Sequence, residues 1–245
     1  MAMMPDLAIL PVVDAAAVDQ MARDRALLDL IEAVQLDAGP RAFFRHYTWS
    51  EPACTFGYSQ KYDAIHAAIE PPTDDLALIR RATGGGLVDH RADWTYALAA
   101  APNHPYALMP AQASYRGLHE ALAEALNASG CPARVQPCAP KKRYQGPNAV
   151  CFDQPEIYDV VALNSGRKIA GAAQKRNTQG ILVQGSLSRE AIGAIDWAEF
   201  YRTLLETISR LLVAPYDFIQ QPAYWADAVS IWKRQFATDA WNRRR

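Results

Sequence analysis

The chain has 245 residues, half of them hydrophobic and 21% charged, the balance of an ordinary globular domain. Its formal net charge of -1 gives no bulk electrostatic reason to expect nucleic-acid binding. No apolar run approaches the roughly 18 residues that a membrane span requires, so neither nucleic acid nor membrane is an expected partner. Residues 1–13 carry no positive n-region and include Asp6, which argues against a secretory signal. Four cysteines, Cys54, Cys131, Cys138 and Cys151, form no C-x-x-C pair, so no metal site or disulfide framework is expected. Reduced thiols in the cytoplasm are the expected setting, and one of the four can be reactive there.

Residues 14–34 predict a helix from the spacing of Val18, Met21, Ala22, Leu28 and Ile31, stopped near Gly39-Pro40. Residues 42–49 are aromatic and β-prone and break at Glu51-Pro52; residues 54–58 are expected as their partner strand. Residues 63–69 predict a short helix ended by Pro71-Pro72. The apolar run Leu76-Ala77-Leu78-Ile79 leads into Arg80-Arg81-Ala82-Thr83-Gly84-Gly85-Gly86-Leu87-Val88-Asp89-His90, and residues 95–100 then predict a strand closed by Pro102 and Pro105. Residues 114–128 predict a helix with the stripe Leu118, Leu122, Ala125 and Leu126 and a C-terminal Gly130. Residues 139–148 read as a basic loop containing Lys141-Lys142-Arg143, either solvated or facing an acidic partner. Residues 157–163, 167–172 and 180–186 predict strands joined by turns at Asn164-Ser165-Gly166 and Asn177-Thr178-Gln179-Gly180. Asp196 with Glu199 marks a helix start, residues 197–212 continue it, and residues 225–236 predict a last helix before a basic tail. Strands in groups with helices between them point to one α+β domain over residues 1–245, with a largely antiparallel mixed sheet flanked by helices and a mostly helical part from about residue 190.

Three stretches are able to carry chemistry. The three glycines after Arg80-Arg81 admit positive φ and close backbone approach, and the arginines add fork-shaped donors. The stretch is therefore either a loop that wraps an acyl or phosphate-bearing group or a hairpin connection with surface arginines. It is neither a Walker A loop nor a dinucleotide fingerprint. In Gly166-Arg167-Lys168-Ile169-Ala170-Gly171-Ala172-Ala173-Gln174, small residues crowd one side of Lys168, which either meets a carbonyl or phosphate oxygen or lies on the wet face of a strand. Cys151, in Asn148-Ala149-Val150-Cys151-Phe152, is a nucleophile if nearby cations lower its pKa and otherwise a small buried hydrophobe. His90, directly after the glycines, is the histidine best placed for a positioned polar role.

Together the glycine stretch with His90 and the Lys168 stretch resemble the biotin/lipoate-protein ligase catalytic-domain family, and more narrowly its lipoate-protein ligase and cysteine octanoyltransferase branch. Asp24 with Ala26-Leu27-Leu28, Tyr47-Thr48-Trp49 with Gly57-Tyr58-Ser59-Gln60, Ser114-Tyr115, and Gly180-Ile181-Leu182 with Gln184-Gly185-Ser186-Leu187 support the likeness, which runs from about residue 21 to 187. The resemblance implies that Arg80, Arg81, Thr83, Gly84, Gly85, Gly86, His90, Gly171 and Ala172 bind substrate and that Lys168 is catalytic. Cys151-Phe152, with Tyr158-Asp159 after it, resembles the nucleophile position of one group of transferases, and Thr95-Tyr96 looks like the same group. It implies octanoyl transfer from acyl carrier protein, through a thioester on Cys151, to a lysine of a lipoyl domain or the glycine-cleavage H protein, with no cofactor. Gly86, where those transferases often carry arginine, resembles the ligases instead, which act through lipoyl-AMP with ATP and Mg. A noncatalytic module that binds an acylated domain is the alternative from another class.

Overall fold

The computed structural model describes residues 6–35, 40–69, 75–138 and 155–244. The expected basic loop at 139–148 and Cys151 lie outside the described residues.

In chain order the elements are β1 (Leu7–Ile9), β2 (Val13–Ala15), α1 (Ala17–Gln35), β3 (Ala42–Trp49), β4 (Ala53–Phe56), α2 (Tyr62–His66), β5 (Ala77–Arg80), β6 (Val88–Asp89), β7 (Asp93–Ala100) and α3 (Pro105–Leu108). There follow α4 (Ala111–Ala128), β8 (Ala133–Val135), β9 (Val160–Ala162), β10 (Lys168–Asn177), β11 (Gly180–Ser188), α5 (Arg189–Ile192), α6 (Trp197–Leu212), β12 (Tyr216–Phe218), α7 (Ala223–Phe236) and α8 (Asp239–Asn242). The large sheet runs β12-β1-β3-β7-β11-β10-β9-β8, with β2 also on β3. Strands β12, β1 and β2 enter in parallel, and every pairing from β3 to β8 is antiparallel. This is the α+β, largely antiparallel mixed sheet expected from the sequence.

Period-two alternation divides the core between the two faces of the sheet. Phe44, Trp94, Tyr96, Leu98, Ile181 and Val183 face one way, into the core shared with α4 and α6. Phe43, Tyr47, Ala97, Ala99 and Leu182 face the other way, onto α1 and α7. Because α1 lies between the sheet and α7, it is buried on most sides, and Gln20 and Asp24 become interior polar groups.

Strand β4 does not pair with β3, contrary to expectation. It joins a second sheet, β5-β4-β6, parallel to β5 and antiparallel to β6. Both edges of β3 are already taken, by β1 and β2 on one side and β7 on the other. Phe56 and Cys54 instead build a small core of their own with Ile65 and Leu87. Helix α1 starts at Ala17 rather than residue 14 because residues 13–15 are drawn into the ladder on β3. The free Ala17 N–H is capped by Glu51 Oε1 at 2.9 Å. Strands β1, β2, β8 and β12 were not expected; at three residues each they are too short to leave a period in the sequence. Helix α6 opens as expected, with the Asp196 carboxylate accepting from the N–H groups of Ala198 and Glu199 at 3.0 Å each.

Candidate active site

A narrow pocket lies where the α1 face of the large sheet meets the small sheet. Its walls come from Met21 on α1, Tyr47 on β3, Thr95 on β7 and the Gly171-Ala172-Ala173 run on β10, with Thr55 and Val88 from the small sheet. Of the residues expected at the site, Arg81, Gly85, His90, Gly171 and Ala172 line it directly.

The glycine loop uses its glycines unequally. Only Gly85 has a positive φ, 88°, a conformation in which an L side chain is strained. Its carbonyl is packed on Gly57, where an added Cβ would stand 2.0 Å from the Gly85 oxygen. A Cβ on Gly84 would meet nothing within 4 Å. Arg81 folds back into the turn, donating to the carbonyls of Gly84 at 2.9 Å and Gly86 at 2.8 Å and to Thr55 Oγ1 at 2.8 Å. Thr83 stands behind the pocket wall and donates to Gln184 Oε1 at 2.8 Å. Arg80 points the other way, into the backbone of residues 58–60 and 241–244.

His90 also lines the pocket. Its Nδ1 meets Asp93 Oδ2 at 2.6 Å, its Nε2 meets Thr55 Oγ1 at 2.7 Å, and its ring stacks on Trp49 at 4.1 Å. The Asp93 carboxylate accepts from Nδ1, and Thr55 Oγ1 also takes the Arg81 N–H, so His90, Thr55 and Arg81 form one connected cluster. Ser186 and Thr95 also donate to the Asp93 carboxylate. Behind Tyr47 and Gln184, the buried Asp24 carboxylate accepts from Arg45 at 2.5 Å and from Tyr47 and Gln184 at 2.7 Å each. Burial pushes the Asp24 pKa up against the opposing pull of Arg45 and these hydrogen bonds, and burial also holds the Tyr47 phenol well above its usual range.

Lys168 is buried rather than on a wet strand face. Its Nζ pairs with Asp159 Oδ2 at 2.8 Å, and its chain crosses Gly171 so closely that a Cβ there would lie 2.5 Å from Cε. Asp159 also accepts from Tyr115 Oη at 2.5 Å and from the Glu156 N–H at 2.7 Å. Tyr115 Oη in turn accepts from Ala172 N–H at 3.2 Å, tying the Lys168 cluster to the pocket wall. His119 stands edge-on to Tyr115 at 4.1 Å, and burial pushes its pKa down to about 4. Burial pushes the Cys54 thiol up to about 12 and raises Cys131 as well, so neither is a thiolate at neutral pH. Among the described residues no cluster of three or more His, Cys, Asp or Glu groups fits a metal ion, and no helix is long and apolar enough to cross a membrane.

Thr55, Asp93, Tyr115, Asp159 and Gln184 were not among the expected site residues. Gln184 had a readable signal, a polar side chain directly after the apolar run Ile181-Leu182-Val183, and Asp159 had another, an acid directly before the apolar β9. Thr55 had none, because a hydroxyl in a strand is ordinary, and Tyr115 stood out only as part of the Ser114-Tyr115 match.

Residues 16–208 match the lipoyl protein ligase A/B catalytic domain. The octanoyltransferase LipM of Moorella thermoacetica is 34% identical over 143 residues, 58% of this chain and 52% of that protein. LipM of Staphylococcus aureus is 32% identical over 174 residues, 69% of this chain and 61% of that protein. The chain thus spans between half and two thirds of the length of these relatives. A bi-partite lipoate protein ligase from Thermoplasma acidophilum, from a study that included its E2 lipoyl domain, has the same fold, with a TM-score of 0.70 at 18% identity over 98% of this chain and 96% of that one. The family match runs through the glycine loop, the Lys168 cluster and the sheet that joins them, and the chain belongs to the lipoyl protein ligase A/B catalytic-domain family.

Proposed function

We propose that this chain is a single catalytic domain that moves a medium-chain acyl group, octanoyl or lipoyl, from acyl carrier protein to a lysine of a lipoyl domain or the glycine-cleavage H protein, in the cytoplasm and without a cofactor. The pocket carries this reading. Its lining sets small residues of β10, Ala172 and Ala173, beside a few polar groups, Thr55, Thr95, His90 and Gln184, the makeup of a small-molecule site. The names of the relatives, octanoyltransferases at 32–34% identity, support the acyl class.

In the proposed reaction the Cys151 thiolate attacks the thioester carbonyl of the acyl donor. The C–S bond to the carrier breaks and the carrier thiolate takes up a proton. The acceptor lysine, as a free amine, then attacks the acyl-enzyme; the Cys151 thiolate leaves, the nitrogen releases one proton to solvent, and an amide forms. Lys168 places its ammonium on the acyl oxygen, held by Asp159 and Tyr115. Arg81, Gly85, His90, Gly171 and Ala172 bind the acyl group, while Thr83, Gly84 and Gly86 shape the loop through Gln184 and Arg81. Thioester to amide is downhill, so no ATP is consumed.

A second reading rests on Gly86, a glycine as in the ligases: activation of free lipoate with ATP and Mg through lipoyl-AMP. The test is intact-mass analysis after mixing with octanoyl-acyl carrier protein in the absence of ATP. The transferase gains one octanoyl group on Cys151; a ligase stays unloaded and acts only with free lipoate and ATP.

A further inference from the structure

Arg80 was expected to touch substrate, yet its guanidinium is turned away from the pocket and buried. Nε donates to Trp241 O at 3.1 Å. One terminal nitrogen donates to Tyr58 O and Gln60 O, each at 2.6 Å, and the other to Asn242 O at 2.8 Å and Arg244 O at 3.2 Å. Every N–H of the fork is thereby used, and every acceptor is a backbone carbonyl. The contact continues along the backbone, with Arg80 N–H donating to Asn242 Oδ1 at 2.9 Å and Trp241 Nε1 donating to Arg80 O at 2.8 Å. A buried charge is retained only where its donors are fully paired, and these partners are two pieces of chain rather than a ligand.

On one side the fork holds residues 57–60, which hold the glycine loop. Tyr58 N–H donates to Thr83 O at 2.9 Å, and Gly57 is packed against the Gly85 carbonyl. On the other side it holds residues 241–244. Asn242 is fixed by its Nδ2 on Phe236 O at 2.7 Å, Trp241 packs on Phe236 with ring centroids 4.6 Å apart, and Arg244 lies over the Tyr58 ring at 3.5 Å. The C-terminal hook, α8 with residues 243–244, thus reaches the pocket wall through two contacts.

We infer that this hook is a positioning element for the acyl site, acting through Arg80 and residues 57–60, and that Arg80 is a positioning residue rather than a substrate ligand. The inference rests on the reading of the pocket as the acyl site. Lysine keeps the charge at position 80 but offers a single ammonium that cannot span acceptors on both sides.

Arg80→Lys and Asn242→Ala test it in the full chain, by hydrogen exchange of the amides of residues 81–87 and of β7 and by calorimetric titration with octanoate. Loss of two or three buried hydrogen bonds is expected to speed exchange in the loop at least about tenfold and to weaken octanoate binding about tenfold, with β7 unchanged. Loop exchange unchanged in both variants overturns the inference. So does faster exchange of β7 and loop together in both, which makes Arg80 a general stabiliser, or a loosened loop with wild-type affinity. If the wild-type protein binds no octanoate, the acyl reading fails, and the exchange data alone then decide whether the hook sets the loop.

Discussion

At the scale of single residues the Lys168–Asp159 pair changes what a substitution at Lys168 does. A surface lysine would be removed at no cost to folding. Here Lys168→Ala leaves the Asp159 carboxylate buried with only Tyr115 and the Glu156 N–H as described donors. We expect about 3 kcal/mol of lost stability along with loss of acyl transfer, the usual result of breaking one half of a buried pair. The double variant Lys168→Ala/Asp159→Ala is expected to regain stability by denaturant titration while staying inactive. Recovery of transfer by the double variant would place Lys168 outside the chemistry. Cys151→Ser keeps size but replaces the thiol by a hydroxyl of far higher pKa. Rapid acyl loading from octanoyl-acyl carrier protein is then expected to fall by several orders of magnitude, about the cost of losing a nucleophile elsewhere. ATP-dependent ligation by Cys151→Ser would identify a ligase.

At the scale of elements, the loop between β5 and β6 makes three different demands on its glycines and their neighbour. Gly85→Val puts a β-branched side chain at φ 88° against Arg81, whose Nη2 would lie 3.2 Å from the new Cβ. Acyl binding is expected to be abolished, with circular dichroism unchanged outside the loop. Gly57→Ala must push the Gly85 carbonyl away, so it is expected to lower the melting temperature as well. Gly84→Ala meets nothing and has an ordinary φ, so its melting curve is expected to overlay the wild type. A large loss of stability in Gly84→Ala would show that the loop is set differently.

At the scale of the whole molecule, the layer of α4 and α6 on one face of the sheet buries His46, against Trp94 and Tyr201, and His119, on α4, and burial pushes each down to about 4. Between that value and the unfolded value near 6.5, the unfolded chain binds more protons than the folded one, so stability rises with pH through this window and is lost on acidification. His119 is wholly buried, and its contribution is expected to fall by up to about 1.4 kcal/mol per pH unit below 6.5. Asp24, raised by burial, works in the opposite sense at the low end of the window. The comparison is therefore between wild type and His119→Gln in urea at pH 7 and pH 5: the variant is expected to lose less stability than the wild type, and equal losses would exclude His119 as the acid-sensitive group.

Sequence alone determined the elements whose residues repeat a period over enough length. Strand β3 falls on residues 42–49 as predicted, α6 on 197–212, and α4 and β11 within a few residues, because side-chain burial in a long strand or helix is written locally. It also marked the glycine turn and Arg81, Gly85, His90, Gly171 and Ala172, which the fold brings together around one pocket. Which strands pair was decided only in three dimensions. Strand β4 reads like a hairpin partner of β3, but edge availability sends it to a second sheet. The same holds for polar partnership: Tyr115 and Asp159 are 44 positions apart, and Arg80 and Trp241 161 apart. A buried charge needs its donors and acceptors filled, and the chain supplies them from whatever the fold brings near. Hence Lys168, which composition left between a ligand-facing lysine and one on a wet strand face, is buried and paired with Asp159, and the Arg80 guanidinium is filled by backbone carbonyls of residues 58–60 and 241–244.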